Sequence, residues 1–228
     1  IMPYGAYSNA FPSTEDFMTR GLQVLLGQGV AVVRPNTRGI ATERQTDGYG
    51  EIQLADTHLL LEALSEDGII DPTRVALFGH SHGGAMVYYY LSHSDRFAGG
   101  IAVNGAADWV FQAKRRDMTG LPWGLGGPPE ELPEKYQRFS PLENADAVSA
   151  PLLAVAGAGD TQIPAHNSIA MVDRLRELGK PAELLLFDDE DHWIRKPENV
   201  RTFWDGVMAF LQHTLQLPRG ASGTADLN

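Results

Sequence analysis

The 228-residue sequence contains no cysteine. This absence excludes disulfides, zinc sites with cysteine ligands, iron–sulfur clusters and a thiol nucleophile. Basic residues are also scarce, because 18 lysines and arginines face 29 acidic residues and give a formal charge of −11. An acidic balance of this size argues against DNA, RNA or an anionic membrane as the main partner. The lack of cysteine fits a cytoplasmic protein, and the cytoplasm is the location that we expect.

Long apolar runs are absent as well. Runs such as Val30–Val33 and Leu184–Phe187 are far shorter than the roughly 20 residues that a membrane-spanning helix needs. We therefore expect no membrane span, while a secretion signal ahead of Ile1 would lie outside this sequence.

Short apolar runs alternate with longer amphipathic stretches along the chain. Nearly continuous apolarity is typical of parallel strands that are covered on both faces. The predicted strands are Val30–Arg34, Arg74–Phe78, Gly100–Val103, Leu152–Ala156 and Glu183–Phe187. The predicted helices are Thr14–Gln28, Glu51–Asp67, His82–Ser92, His166–Leu178 and Pro197–Leu215. This alternation predicts one α/β domain over residues 1–217, with a mostly parallel sheet flanked by helices.

The segment 105–150 interrupts the alternation, since it is long and holds no clean strand. Long loops inside compact domains are usually lids or binding insertions. Its aromatic residues favour an ordered, cap-like insertion, in which we assign Trp109 and Trp123 to a substrate pocket. A structural excursion without substrate contact is the alternative. The small, polar residues of the tail 218–228 predict a flexible end.

The motif G-x-S-x-G occurs as Gly79-His80-Ser81-His82-Gly83. A predicted strand leads into it and a predicted helix leaves it, which is the context of a nucleophile elbow. The start of a helix favours negative charge, so the backbone N–H of His82 is a candidate donor for an oxyanion. A serine that merely caps the helix is the alternative.

A serine hydroxyl becomes a useful nucleophile only beside a base that a carboxylate orients. Asp160 follows one predicted strand and His192 follows the next, which makes them the candidate acid and base. Asp160 as a plain turn residue and His192 as an exposed loop residue are the alternatives. A metal site formed by Asp188–Asp191 with His192 is another alternative, although such acidic runs are usually solvated. We expect no metal and no organic cofactor.

Several stretches resemble the catalytic domain of prolyl oligopeptidase-like serine peptidases, which have the α/β-hydrolase fold. The similar stretches are Arg34–Gly39, Asp71–Val75, Gly79–Gly84, Ser140–Leu142 and Arg195–Asn199. The resemblance implies that Ser81 is the nucleophile, Asp160 the orienting acid and His192 the general base.

The start of the chain, Ile1–Gly5, is similar to the His-Gly-Gly-Pro turn of that family, although both glycines are replaced. The resemblance implies that the N–H of Met2 is the second oxyanion donor. It also implies that the five predicted strands are the last five of an eight-stranded sheet. We therefore expect the first strands to be missing and this chain to be the C-terminal portion of a longer polypeptide.

The function that these residues predict is hydrolysis through an acyl-serine intermediate. The resemblance favours the peptide bonds of oligopeptides or acyl-peptides as the substrate. Small carboxylic esters are the alternative substrate, and a non-catalytic binding module on the same fold is a more remote one. The sequence does not indicate an oligomeric state.

Overall fold

The core of the protein is a four-stranded sheet in which all neighbouring strands are parallel. The computed structural model describes residues 1–2, 17–35, 37–38, 50–115, 125 and 127–217. Within them the strands follow one another across the sheet in chain order. The strands are β1 (Ala76–His80), β2 (Gly99–Val103), β3 (Leu152–Gly157) and β4 (Ala182–Phe187). Parallel strands in sequential order need a crossover between each pair, and the intervening helices supply these crossovers.

Seven α-helices surround the sheet within the described residues. They are α1 (Phe17–Gly27), α2 (Glu51–Glu66), α3 (His82–His93), α4 (Trp109–Ala113), α5 (Pro133–Phe139), α6 (His166–Glu177) and α7 (Pro197–Thr214). Alternate side chains of the strands point to opposite faces, which gives two hydrophobic clusters. One face packs against α2, α3 and α6, and the other packs against α1 and α7. The protein is therefore a three-layer sandwich with helices on both sides of the sheet.

Most of the predicted elements are confirmed, with ends that differ by a few residues. The strand predicted at Arg74–Phe78 is displaced by two residues and extends to His80, directly before Ser81. The strand predicted at Val30–Arg34 is wrong, because this stretch has no strand assignment. A strand requires repeated backbone hydrogen bonds to a neighbour. Within the described part of the chain, the Val33 carbonyl accepts one such bond, from the Met2 N–H.

The first two residues lie beside β1. The Ile1 amino group donates to the Ala76 carbonyl (2.7 Å), and the Ile1 carbonyl accepts from the Phe78 N–H (2.9 Å). Bonds to two residues that flank Leu77 are the pattern of parallel pairing.

The described part of the segment 105–150 packs against the face that carries α3. It contains α4, α5 and a single 3₁₀ turn at Ala145–Ala147. The Leu142 N–H donates to the Ala107 carbonyl (3.0 Å), and the Trp109 N–H donates to Ser140 Oγ (3.0 Å). These contacts tie the two ends of the segment to each other. Its role as a cap stays a prediction, and the tail 218–228 lies outside the described residues.

Across the described ranges, every helix is too short or too polar to cross a membrane.

Candidate active site

The turn between β1 and α3 holds Ser81. Its backbone angles are φ 59° and ψ −121°, a combination that strains a residue with a side chain. Two backbone hydrogen bonds maintain it: the Ser81 N–H donates to the Val103 carbonyl (2.8 Å), and the Ser81 carbonyl accepts from the Ala85 N–H (3.0 Å). The hydroxyl thus stands at the start of a helix, on the sharp turn that a nucleophile elbow requires.

Glycines on both sides of Ser81 let β1, α3 and the chain after β2 approach one another. A Cβ atom on Gly79 would lie 2.2 Å from the carbonyl oxygen of Gly83. A Cβ atom on Gly84 would lie 2.9 Å from the Cα atom of Gly105. Both contacts are too short for any side chain, so the glycine spacing around the serine meets a steric requirement.

Asp160 lies in the turn that follows β3, and its side chain is completely buried. Its Oδ1 atom accepts hydrogen bonds from the N–H groups of Gln162 (2.8 Å) and Ile163 (2.9 Å). Its Oδ2 atom lies 2.7 Å from Nδ1 of His192. Every carboxylate oxygen therefore has a donor, as a buried acidic group requires.

His192 lies between Asp160 and Ser81. Its Nε2 atom is 2.9 Å from Ser81 Oγ, and its side chain is 6% exposed. A carboxylate only accepts hydrogen bonds, so the Nδ1 atom that faces it carries the proton of the neutral ring. Nε2 is then the acceptor for the serine hydroxyl, which is the proton arrangement that a general base needs. The structure thus brings together the three residues that the sequence singles out.

The acidic run after β4 pairs with protein groups. Asp189 pairs with Lys196, and Asp191 pairs with Arg195 at 2.7 Å. The Glu190 carboxylate accepts hydrogen bonds from the backbone N–H groups of Arg195 (3.1 Å) and Lys196 (2.8 Å). In the part of the chain that the structure describes, no group of three or more histidine, aspartate and glutamate side chains could hold a metal ion.

His82 is the first residue of α3, so its backbone N–H belongs to the first turn of that helix. The N–H groups of a first turn point out of the helix start, because they have no acceptor in a preceding turn. His82 is half-buried, and desolvation of its ring lowers its pKa to about 4. The side chain next to Ser81 is therefore neutral at neutral pH.

The assignment of Met2 as an oxyanion donor is wrong in this structure. The Met2 N–H donates to the Val33 carbonyl at 2.9 Å, so its hydrogen points to that backbone.

Of the two residues assigned to the substrate pocket, Trp109 is 6% exposed and packs in the core cluster on the α3 face. Trp123 lies outside the described residues. The pocket assignment stays a prediction.

Sequence reasoning missed two side chains that contact the loop of His192. His80 is the last residue of β1, and Asn104 directly follows β2. Both contact the main-chain carbonyl of His192, at 2.7 Å and 2.9 Å respectively. Their places at the carboxyl ends of two parallel strands are the signal that could have found them, because these ends meet at one edge of the sheet.

Comparison with known proteins extends over most of the chain. The sequence pattern of the prolyl oligopeptidase family matches residues 16–218. Dipeptidyl-peptidase 5 of Porphyromonas gingivalis is 28% identical over 207 residues, which make up 86% of this chain and 30% of that protein. The uncharacterized peptidase YtmA of Bacillus subtilis is 25% identical over 180 residues, which make up 76% of this chain and 69% of that protein.

A solved structure of a puromycin-hydrolyzing peptidase from Mycobacterium tuberculosis superposes with a TM-score of 0.73 and 28% identity. The superposition covers 78% of this chain and 28% of that one. The predicted α/β-hydrolase fold is thereby confirmed. The chain spans about 30% of the length of the dipeptidyl-peptidase that it matches.

We predict that Gly157→Ala slows the reaction of Ser81 with a fluorophosphonate. The added Cβ atom would lie 2.2 Å from the Asp191 carbonyl oxygen and 2.7 Å from that of Glu190, so the loop of His192 must move. A displacement of about 1 Å costs on the order of 100-fold in rate when the moved group is catalytic. The rate of covalent labelling, followed by mass spectrometry, measures the effect.

Gly206→Ala in α7 is the matched control, because the nearest atom to its added Cβ is 3.6 Å away, on the side chain of Leu185. We expect its labelling rate to equal that of the wild type. Equal rates for Gly157→Ala and the wild type would contradict the proposed steric coupling.

We predict that His82→Gln makes folding stability less dependent on pH. The pKa of His82 falls from 6.5 in the unfolded chain to about 4 in the folded one. Between these values the unfolded chain binds more protons, so stability is lost as the pH falls from about 6.5 towards 4. Urea unfolding at pH 7 and at pH 5 measures the free energy of unfolding. Its decrease between the two pH values should be smaller for the variant than for the wild type. An identical loss in both proteins would mean that His82 does not titrate in this way.

Proposed function

Since the chain belongs to the prolyl oligopeptidase family, we propose that it hydrolyses peptide bonds through an acyl-serine intermediate. The observation that carries the proposal is the continuous hydrogen-bond chain from Asp160 through His192 to Ser81, with steps of 2.7 Å and 2.9 Å. Such a chain gives a serine hydroxyl the base that it needs and gives that base a fixed orientation.

In the proposed first step, Ser81 Oγ attacks the carbonyl carbon of the substrate and His192 Nε2 takes the hydroxyl proton. The positive charge that forms on the ring is stabilised by the buried carboxylate of Asp160. The oxygen of the tetrahedral intermediate becomes negative beside the start of α3. We assign the backbone N–H of His82 as a donor to this oxygen, supported by its place in the first turn and by the helix dipole.

In the proposed second step, His192 returns its proton to the leaving amine as the carbon–nitrogen bond breaks. Water then attacks the acyl-serine, with His192 again acting as the base, and the second tetrahedral intermediate collapses to release the acid and restore Ser81.

Small peptides are the substrate class that we propose. The similarity to a dipeptidyl-peptidase and to a puromycin-hydrolyzing peptidase supports this choice. We place the activity in the cytoplasm because the sequence lacks cysteine. Nucleic acids are not proposed as partners, since the formal charge of the chain is −11.

We predict that Ser81→Ala abolishes turnover and fluorophosphonate labelling while the far-ultraviolet circular dichroism stays unchanged. Asp160→Asn should lower kcat by about 10⁴-fold, because it leaves the imidazole in the wrong tautomer. Ser94→Ala, which changes a serine after the far end of α3, is the control and should retain full activity. Residual labelling of the Ser81→Ala variant at another serine would disprove the assignment.

We further predict a preference for amide bonds over ester bonds in the acyl-transfer assay. An aminoacyl p-nitroanilide and a short p-nitrophenyl ester, tested on the same preparation, separate the two activities. Esters are intrinsically more reactive, so the comparison uses rate enhancements over the uncatalysed reactions rather than the rates themselves. A larger enhancement for the ester, with none detectable for the anilide, would identify a carboxylesterase instead.

A further inference from the structure

The main-chain carbonyl of His192 is held by two side chains that take no part in the steps described above. Asn104 Nδ2 lies 2.9 Å from this oxygen, and His80 Nε2 lies 2.7 Å from it. A carbonyl oxygen has two lone pairs, so it can accept both hydrogen bonds. Ser81 and Asp160 hold the ring of His192, whereas Asn104 and His80 hold its backbone.

Asn104 connects the carboxyl end of β3 to the loop of the general base. Its Oδ1 atom accepts a hydrogen bond from the Gly157 N–H at 3.0 Å, and its own N–H donates to the Val155 carbonyl at 2.8 Å. Its Nδ2 atom faces the His192 carbonyl and, at 3.4 Å, the Asp191 carbonyl. These partners settle the orientation of the amide, because the oxygen must face the N–H donor and the nitrogen must face the carbonyls.

The position of Asn104 suits asparagine for two independent reasons. Its φ of 47° lies in the left-handed region, which asparagine tolerates better than most residues with a side chain. The residue is also 1% exposed, so each polar atom of its side chain needs a partner within the protein. The short planar amide of asparagine supplies both an acceptor and a donor. Its acceptor bonds the end of β3, which leads to Asp160, and its donor bonds the loop of His192.

His80 contacts the general base in a second way. Its ring centroid lies 4.7 Å from that of His192 and 4.5 Å from that of Trp193. Because a carbonyl oxygen can only accept, Nε2 of His80 carries a proton in this contact. His80 thus packs against the rings of two loop residues while it donates to the backbone between them.

We infer that Asn104 and His80 are positioning residues for the general base, an inference that rests on the proposed function. His192 lies in a loop without helix or strand backbone. The position of its ring is therefore not fixed by regular secondary structure. The two donors hold its carbonyl, and the Gly157 contact ties the same amide to the chain that leads to Asp160. The buried amide of Asn104 therefore links the chain of the acid to the loop of the base, in addition to the backbone bond from the Gly159 N–H to the Glu190 carbonyl (2.9 Å).

The first test is Asn104→Ala in the full chain, assayed with an aminoacyl p-nitroanilide and with a fluorophosphonate. We expect kcat and the labelling rate to fall together by about 10- to 100-fold, because both depend on the placement of His192. KM should change less than about twofold, since neither donor touches the substrate in the proposed mechanism. A fall in activity that only tracks a lower folded fraction would overturn the inference.

Asn144→Ala is the matched control. Asn144 also donates from Nδ2 to backbone carbonyls, those of Gln137 (3.2 Å), Arg138 (3.1 Å) and Ser140 (3.0 Å). Its removal costs similar hydrogen bonds at a place that contacts neither Asp160 nor His192. We expect a loss of thermal stability with an unchanged kcat, so the two asparagine variants separate positioning from general stability.

A pair of His80 variants tests the second donor and keeps the inference falsifiable if Asn104→Ala does not fold. His80→Phe keeps an aromatic ring against Trp193 but has no donor, whereas His80→Gln keeps an N–H donor without the ring. We expect kcat to stay within about twofold of the wild type for glutamine and to fall about fivefold or more for phenylalanine. Equal losses for the two variants, or a larger loss for glutamine, would overturn the inference.

The wild-type chain distinguishes this inference from the proposed function. If Ser81 in the wild type is not labelled, the proposed function fails and the inference fails with it. If the wild type is labelled and folded Asn104→Ala and His80→Phe are labelled at the same rate, the proposed function stands and the positioning roles are disproved.

Discussion

Parallel pairing of the four strands is the constraint on which the rest of the site depends. Because β1 to β4 all run in one direction, their carboxyl ends meet at a single edge of the sheet. Ser81 follows β1, Asp160 follows β3 and the loop of His192 follows β4. His192 is 32 positions from Asp160 and 111 positions from Ser81 in the sequence, and this shared edge brings it within hydrogen-bonding distance of both. An antiparallel neighbour would place its loop at the opposite edge.

The hydrogen bonds of the site also require that backbone segments of adjoining elements approach one another closely. Gly79, Gly84 and Gly157 stand where a Cβ atom would collide with backbone atoms of the adjoining loop or helix. Gly79 lets the end of β1 approach α3, and Gly84 lets α3 approach the chain at the end of β2. Gly157 lets the loop of the general base approach the end of β3. Without this approach the 2.7 Å bond between Asp160 and His192 could not form, because side-chain reach is short for both residues.

Burial makes the loss of any of these hydrogen bonds costly in free energy. The Asp160 side chain is completely buried and that of His192 nearly so, and in such surroundings an unpaired polar group is costly. The asparagine and histidine that hold the His192 carbonyl belong to this network as much as the three reactive residues do. A polar site that excludes most solvent must satisfy its backbone atoms as well as its reacting ones.

The alternation of strands and helices, the elbow at Ser81 and the choice of Asp160 and His192 could be predicted from the sequence. These features have local signals, namely apolar runs, glycine spacing and position directly after a strand. Val30–Arg34 shows where such signals fail, since an apolar run becomes a strand only where a neighbour pairs with it repeatedly. The donor role of Met2 was implied by the resemblance and not by a local signal, and it fails because the Met2 N–H donates to the Val33 carbonyl, which is distant in the sequence. The contacts of Asn104 and His80 with the His192 carbonyl could not be predicted in this way. Hydrogen bonds between distant parts of the chain form only after the folded sheet has brought them together.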